Sequence, residues 1–173
     1  MSTSPTGSRE RRDGGDFVVL TRQFRAPVTE VWAAVTEPER LERWVGTWTG
    51  DPSTGQVAFR MTAEGEDAPE EIQTIEACEP PRRLVTRSRT PGPDGTGEVD
   101  WVLELDLSEV DGVSTLTFAQ RVDDAEMASS IGPGWEYYLD RLVAAENGRD
   151  VEAVSWDDYY PAQSAHYRSL FEA

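Results

Sequence analysis

The side chains best suited to nucleophilic catalysis are few in this chain and do not form a known motif. The only histidine, His166, lies near the C-terminus with no nucleophile motif around it, and the only cysteine, Cys78, is expected to be structural. No Gly-x-Ser-x-Gly elbow, P-loop or dinucleotide fingerprint occurs in the sequence. We therefore expect no standard catalytic constellation and no cofactor.

A metal centre is not expected either. Zinc sites are built mainly from His and Cys, and one residue of each type would leave carboxylates to supply the remaining ligands. The acidic pairs Asp123-Asp124 and Asp157-Asp158 are typical of solvated loops.

Polar groups on predicted strands are the remaining candidates for chemistry. Glu70, Glu71 or Glu104 could act as a general acid or base if buried, although the alternation of its strand points Glu104 outward. Gln120 ends an apolar row, where its amide could orient a ligand or satisfy a backbone group at the strand end. Tyr138 lies on the apolar face of a predicted helix.

The charge balance excludes several classes of partner. Sixteen basic residues against 33 acidic ones give a net charge of −17, which repels nucleic-acid phosphates and anionic membranes. Arg87 and Arg89 share a strand face and are expected in solvent rather than in a carboxylate clamp. With no membrane-length apolar run, no signal-peptide pattern and one cysteine, we expect a cytoplasmic protein that binds neither nucleic acid nor membrane.

The elements that must position these groups follow a strand, two helices, a series of strands and a long helix. Pro27 and Pro38 are predicted to begin the first two helices. The strands are expected at residues 17–24, 56–61, 71–78, 84–89 and 99–107 and after the turn Asp111-Gly112. Consecutive strands of this kind predict an antiparallel sheet in an α+β fold.

The chain divides into three predicted regions. Residues 1–15 lack periodicity and are expected to be a disordered tail, residues 16–148 form the domain, and residues 149–173 form a C-terminal extension. Within the domain, Gly132-Pro133-Gly134 is interpreted as the entrance to the long helix rather than a phosphate cradle. The aromatic extension is expected to pack on the domain, the alternative being an exposed patch for a partner or a second copy.

Several residues at the joints of these elements resemble a known superfamily. They are Ala26-Pro27, Val31-Trp32, Thr36-Glu37-Pro38, Leu41, Trp44, the run from Pro80 to Val85, the run from Ser114 to Phe118, and Gly134-Trp135. Together they resemble the START-like (SRPBCC, birch-pollen-allergen-like) superfamily, in the branch named after the activator of a heat-shock ATPase. The resemblance spans residues 17–148. Ser88 departs from it, because the family often has an aromatic residue there.

This resemblance implies a helix-grip fold, in which a curved antiparallel sheet wraps around a long C-terminal helix and leaves a cavity between them. The residues expected to line that cavity are Trp44, Trp48, Phe59, Met61, Trp101, Leu103, Phe118, Gln120, Trp135, Tyr138 and Leu139. Each of these side chains also fits an ordinary core position.

Three functions follow from the resemblance. The first is binding of a small hydrophobic or amphipathic molecule, with at most weak catalysis, by a monomer or homodimer. The second is a polyketide cyclase or aromatase, in which Gln120, Tyr138 or a buried glutamate moves protons. The third is a co-chaperone-like module that binds a protein, which rests on the branch name alone.

Overall fold

The computed structural model describes residues 3–92 and 94–172. These residues contain eight strands in one antiparallel sheet, in the order β1-β2-β8-β7-β6-β5-β4-β3. The strands are β1 Ser8–Arg12, β2 Gly15–Phe24, β3 Thr47–Thr49, β4 Gln56–Arg60, β5 Glu70–Glu79, β6 Arg83–Pro91, β7 Glu98–Val110 and β8 Val113–Val122. The α-helices are α1 Val28–Thr36, α2 Pro38–Leu41, α3 Ala125–Glu146 and α4 Ser164–Phe171. The predicted α+β helix-grip fold is confirmed.

The main core lies between the concave face of the sheet and helices α1 and α3. Leu20 pairs with Phe118 across β2 and β8, and both side chains are buried. Leu139 and Leu142, on one face of α3, are fully buried in the same cluster. Burial of each such side chain stabilises the fold by about 1.5–3 kcal/mol, so this seam fixes where α3 crosses the sheet.

The convex face of the sheet has a small apolar cluster and many ion pairs. Val102 and Ala119 belong to this cluster. Beside it, Glu104 forms ion pairs with Arg12 at 2.8 Å and with Arg83 at 3.0 Å. Glu104 therefore points away from the concave face, as the alternation of its strand predicts.

The N-terminal region differs from the expected disordered tail. Ser8–Arg12 forms β1, which pairs with the first half of β2 from Gly15 to Val19. Arg12 explains why a run rich in arginine is ordered, since its guanidinium bonds Glu104 and lies over the Phe17 ring. Residues 1 and 2 of the predicted tail lie outside the described residues.

The long helix begins earlier than Gly132-Pro133-Gly134, which was predicted to be its entrance. Helix α3 starts at Ala125, and the carboxylate of Asp124 caps it by accepting a hydrogen bond from the Met127 amide at 2.8 Å. Pro133 lies inside the helix. Asp124 is thus a helix cap rather than the solvated loop acid expected from sequence.

The C-terminal extension lies against α3. Helix α4 packs on it, and Tyr167 of α4 is fully buried. Tyr159 is buried as well, whereas Trp156 and Tyr160 remain 41% and 38% exposed. The extension therefore covers part of α3 and leaves two of its aromatic rings at the surface.

Candidate functional site

The concave face of β4 to β7 is the part of the sheet where most of the predicted lining residues meet. Trp101 pairs with Ser88 of β6, and Leu103 pairs with Gln120 of β8, so all four side chains point to the side on which α3 lies. Phe59 of β4 pairs with Glu71 of β5. The apolar row and the acid Glu71 therefore share one surface.

Part of the predicted lining is core. Trp44, Phe118, Tyr138 and Leu139 are each at most 6% exposed. The indole nitrogen of Trp44 donates a hydrogen bond to the carbonyl oxygen of Ala34 at 3.0 Å. Burial and this backbone bond make the ring of Trp44 a fixed support for the surface.

A second part of the set remains half-buried. These side chains pack against the core and keep some exposed surface; they are Trp48, Phe59, Met61, Leu103 and Trp135. Trp101 is also half-buried, and its indole nitrogen donates to the Thr90 hydroxyl at 2.8 Å. Side chains that are half-buried can still contact a bound molecule.

Gln120 is held by Trp135 of α3. The indole nitrogen of Trp135 donates to Oε1 of Gln120 at 2.5 Å, and Gln120 is 4% exposed. The Trp135 ring also packs on Phe118, with 4.3 Å between the ring centroids. Because the Gln120 oxygen is bonded and its amide nitrogen is not part of that bond, the nitrogen is the atom that could donate to a ligand.

Two carboxylates lie at the rim of this surface. The hydroxyl of Tyr138 donates to Oε1 of exposed Glu64 at 3.1 Å. Burial and the carboxylate of Glu64 both raise the pKa of Glu71 above its ordinary value. Burial and Glu64 likewise raise the pKa of Tyr138, which stays a neutral donor. Glu71 was a sequence candidate, but Glu64 was not.

Sequence periodicity could not identify Glu64, because it belongs to no strand. A 3-10 turn, Thr62–Glu64, follows β4 and brings the side chain back toward Tyr138. Ser88 is a second unexpected member of the surface. It is 4% exposed, and its hydroxyl has no hydrogen-bond partner among the described residues. Its only sequence signal is the departure from the family's aromatic residue.

Two hollows of the structure lie away from the predicted lining. One, of about 380 Å³, is lined by polar residues that include Thr6, Arg22, Glu136 and Asp140. The other, of about 350 Å³, lies on the convex face beside Ile72 and Arg87. Neither contains a residue of the predicted set, although Ser88 lines the second hollow as well. The concave-face candidate is therefore a half-covered surface rather than either hollow.

Most of the sequence matches a known protein family. Residues 25–146 match the model of the family described as Activator of Hsp90 ATPase homolog 1-like protein. The chain belongs to that family. The match includes α1 and α3 and most of the sheet, and it excludes β1, β2 and α4. The predicted family resemblance is thereby confirmed.

Several solved structures are similar to this chain over most of its length. CalU16 from Micromonospora echinospora is 26% identical, covers 100% of both chains and has a TM-score of 0.71. DynU16, a protein of the dynemicin biosynthetic locus, is 25% identical over 78% of this chain, with a TM-score of 0.60. This chain matches only 49% of the length of DynU16. No curated protein matches the chain.

No helix in the described ranges is both long and apolar enough to cross a bilayer. Within residues 3–92 and 94–172, no three His, Cys, Asp or Glu side chains are grouped so that they could hold a metal ion.

Proposed function

We propose that this chain binds a small amphipathic molecule on the concave face of β4 to β7, beneath α3. The observation that carries the proposal is the row of half-buried apolar side chains formed by Phe59, Trp101, Leu103 and Trp135. Rings and aliphatic groups of this kind gain roughly 25 cal/mol for each Å² of apolar surface that a ligand removes from water. A fold with a helix across a curved sheet offers such a surface.

Polar groups beside the row would orient the ligand. Gln120 is fixed by Trp135, Ser88 has a buried hydroxyl without a partner, and Glu71 lies next to Phe59. A few polar groups within an apolar lining are typical of small-molecule sites, since burial supplies affinity and the polar groups supply orientation. The ligand should therefore have a ring or chain and at least one polar end.

The first test is native mass spectrometry of protein purified without denaturant, compared with the mass after acid denaturation. A retained molecule would support the proposal and give its mass. In parallel, the purified protein is titrated with the neutral probe N-phenyl-1-naphthylamine, followed by its fluorescence. We expect saturable binding that weakens in Phe59→Ala and Trp101→Ala.

The matched control is Ile72→Ala. Ile72 is an apolar residue of the same sheet, 55% exposed, and it alternates with Glu71 and so points to the convex face. Its truncation should leave probe binding unchanged. Equal loss in all three variants, or no binding by wild type, would contradict the proposed site.

A second function, cyclisation of a polyketide-like chain, is favoured by one observation. Burial and Glu64 raise the pKa of Glu71, which keeps a proton available to a reacting carbonyl oxygen more readily than an ordinary glutamate would. The description of the similar protein DynU16, from a biosynthetic locus, is consistent with such a role. In this reaction, an α-carbon of the chain would lose a proton to water, and the resulting enolate would attack a carbonyl carbon of the same chain. The new C–C bond replaces the π bond of that carbonyl group, Glu71 protonates its oxygen, and the released proton returns to Glu71 through solvent.

This second function predicts product formation that depends on Glu71. The protein is incubated with a synthetic poly-β-ketone thioester, and the products are separated and weighed by liquid chromatography with mass spectrometry. Glu71→Gln should lower the rate of cyclisation, whereas Glu70→Gln, at an exposed neighbouring position, should not. Equal amounts of product with wild type, with both variants and in buffer would show that the protein does not catalyse cyclisation, and only the binding function would remain.

We also place the protein in a reducing cytoplasm. Its single cysteine, Cys78, is exposed and free. An exposed free thiol is better maintained in a reducing compartment than outside the cell. Fractionation of the source cells with an antibody against the chain would test this assignment.

A further inference from the structure

Two carboxylates at the rim of the concave surface, half-buried Glu71 and exposed Glu64, lack the arginine partners that several other acids of this protein have. Elsewhere, Glu104 pairs with two arginines, and Glu136 and Asp140 both pair with Arg22. Among the described residues, no basic side chain lies within ion-pair distance of Glu64 or Glu71. Glu64 and Glu71 therefore lie at the rim of the concave surface without an arginine partner among the described residues.

The two acids also oppose one another electrostatically. The negative charge of Glu64 is one cause of the raised pKa of Glu71, and partial burial of Glu71 is the larger cause. The hydroxyl of Tyr138 offsets only part of the negative charge of Glu64, because it donates one hydrogen bond to that carboxylate. A positive charge placed between the carboxylates would offset both the repulsion between them and the loss of water around Glu71.

The aromatic rings nearby suit a cation as well. Tyr138 packs against Trp135 with 5.7 Å between ring centroids, and Phe59 pairs with Glu71 across β4 and β5. The face of an aromatic ring attracts ammonium groups, and acids together with rings form the usual recognition chemistry for organic amines. The rim therefore offers carboxylates and π faces within one surface.

Ser88 supplies an independent indication that a polar ligand group enters this surface. The side chain is 4% exposed, and its hydroxyl has no hydrogen-bond partner in the described residues. Because Ser88 pairs with Trp101, its side chain points to the concave side, and its strand is the neighbour of the strand that carries Glu71. An unpaired buried hydroxyl is unfavourable, and a donor or acceptor on a ligand would satisfy it.

We infer that the ligand is an amphipathic amine, bound with its protonated nitrogen between Glu64 and Glu71 and its apolar part on Phe59, Trp101 and Leu103. Since the apolar part occupies the proposed binding surface, this inference depends on the proposed function. The amine donates hydrogen bonds to both carboxylates, and a hydroxyl or carbonyl further along the ligand reaches Ser88.

The test uses three probes that share one ring and differ in the polar end: 1-naphthylmethylamine, 1-naphthylmethanol and 1-naphthylacetic acid. Each is titrated into the full chain at pH 7 and physiological salt by isothermal titration calorimetry. A charge-assisted hydrogen bond is worth about 1.5–3 kcal/mol, so the amine should bind at least roughly tenfold tighter than the alcohol. The acid should bind weakest.

Single substitutions distinguish binding at Glu64 and Glu71 from attraction by the overall negative charge of the protein. Glu71→Gln and Glu64→Gln should each weaken amine binding by roughly tenfold and leave the alcohol within about twofold. Glu70→Gln removes the same charge from an exposed position next to Glu71 and should change neither probe. A similar loss in Glu70→Gln would show only long-range attraction by the net charge of −17 and would overturn the inference.

The outcomes distinguish this inference from the proposed function. If the alcohol and the amine bind equally and lose affinity in Trp101→Ala, the concave surface binds ligands but does not select amines. If the acid binds best, the inference is also wrong. If none of the three probes binds, the proposed function is contradicted together with the inference.

Discussion

The ring of Tyr167 in α4 packs directly on the backbone of Gly132 in α3. A Cβ atom at position 132 would overlap that ring, so the close approach of the two helices requires glycine there. The same ring lies against Gly7, and its hydroxyl donates a hydrogen bond to the buried carboxylate of Glu136. The three segments at the N-terminus, α3 and α4 thus meet at one tyrosine.

Gly132→Ala should therefore destabilise the protein, by about 1–3 kcal/mol, because α4 must shift to accommodate the added methyl group. Urea denaturation followed by circular dichroism measures the change. The control is Gly134→Ala in the same helix, where the added Cβ would meet only the far end of Trp156 at 4.0 Å. Alanine favours helix over glycine by up to about 1 kcal/mol, so this variant should be neutral or more stable. Equal destabilisation of both variants would contradict the contact.

Arg22→Met should cost about 3–5 kcal/mol, because it leaves the carboxylate of Glu136 buried without its cation. The arginine side chain is 11% exposed and reaches Glu136 at 2.8 Å and Asp140 at 2.9 Å. Arg168→Met is the matched control, since Arg168 pairs with Glu126 in solvent and should cost less than about 1 kcal/mol. The free energy of unfolding in urea tests both, and similar values would show that Arg22 does not stabilise the buried acid.

The stability that Glu136 contributes should disappear in acid. Burial alone would raise the pKa of Glu136, but hydrogen bonds from Tyr167, Thr6 and Arg22 outweigh it and hold that pKa below its ordinary value. The contribution is thus fully present above the unfolded pKa of about 4.3 and is lost as the pH falls through the lower folded pKa. Tyr167→Phe lacks one donor, so its stability should differ most from wild type at neutral pH and differ less in acid. A difference that is constant with pH would contradict this linkage.

Glu71 should show the opposite dependence. Its pKa is raised in the folded state by burial and by Glu64, so the folded state binds the proton more tightly than the unfolded state. The stability that this proton binding supplies is present below the unfolded pKa of about 4.3 and is lost as the pH rises through the higher folded pKa. Glu71→Gln should therefore gain stability over wild type as the pH rises to 7. Denaturation curves at several pH values measure this gain.

Exposed Glu70 is the control for this experiment. Glu70→Gln should follow wild type throughout the pH range, because the side chain lies in solvent beside Glu71 but outside the concave surface. A gain for both variants would indicate relief of the overall negative charge rather than of the Glu64–Glu71 repulsion.

Local patterns in the sequence determined most of the architecture. Leu103, Leu105 and Leu107 alternate along β7, and such a period-two pattern fits only a strand with one buried face. The stripe through Leu139 and Leu142 likewise identified α3, and the order of strands and helices identified an antiparallel sheet. The sequence also identified the apolar residues of the candidate surface, because the direction of a side chain follows from alternation along its strand.

Only the tertiary structure decided which polar groups join those members. Ser8–Arg12 is ordered because Arg12 donates a hydrogen bond to Glu104, 92 residues away, and lies over the ring of Phe17 on the neighbouring strand. Glu64 enters the candidate surface because a short turn brings it to Tyr138, 74 residues away. Glu136 is satisfied by groups from both ends of the chain. Hydrophobic burial follows a local period that a sequence displays, whereas a buried charge is stabilised by particular partners whose distance along the chain leaves no local pattern.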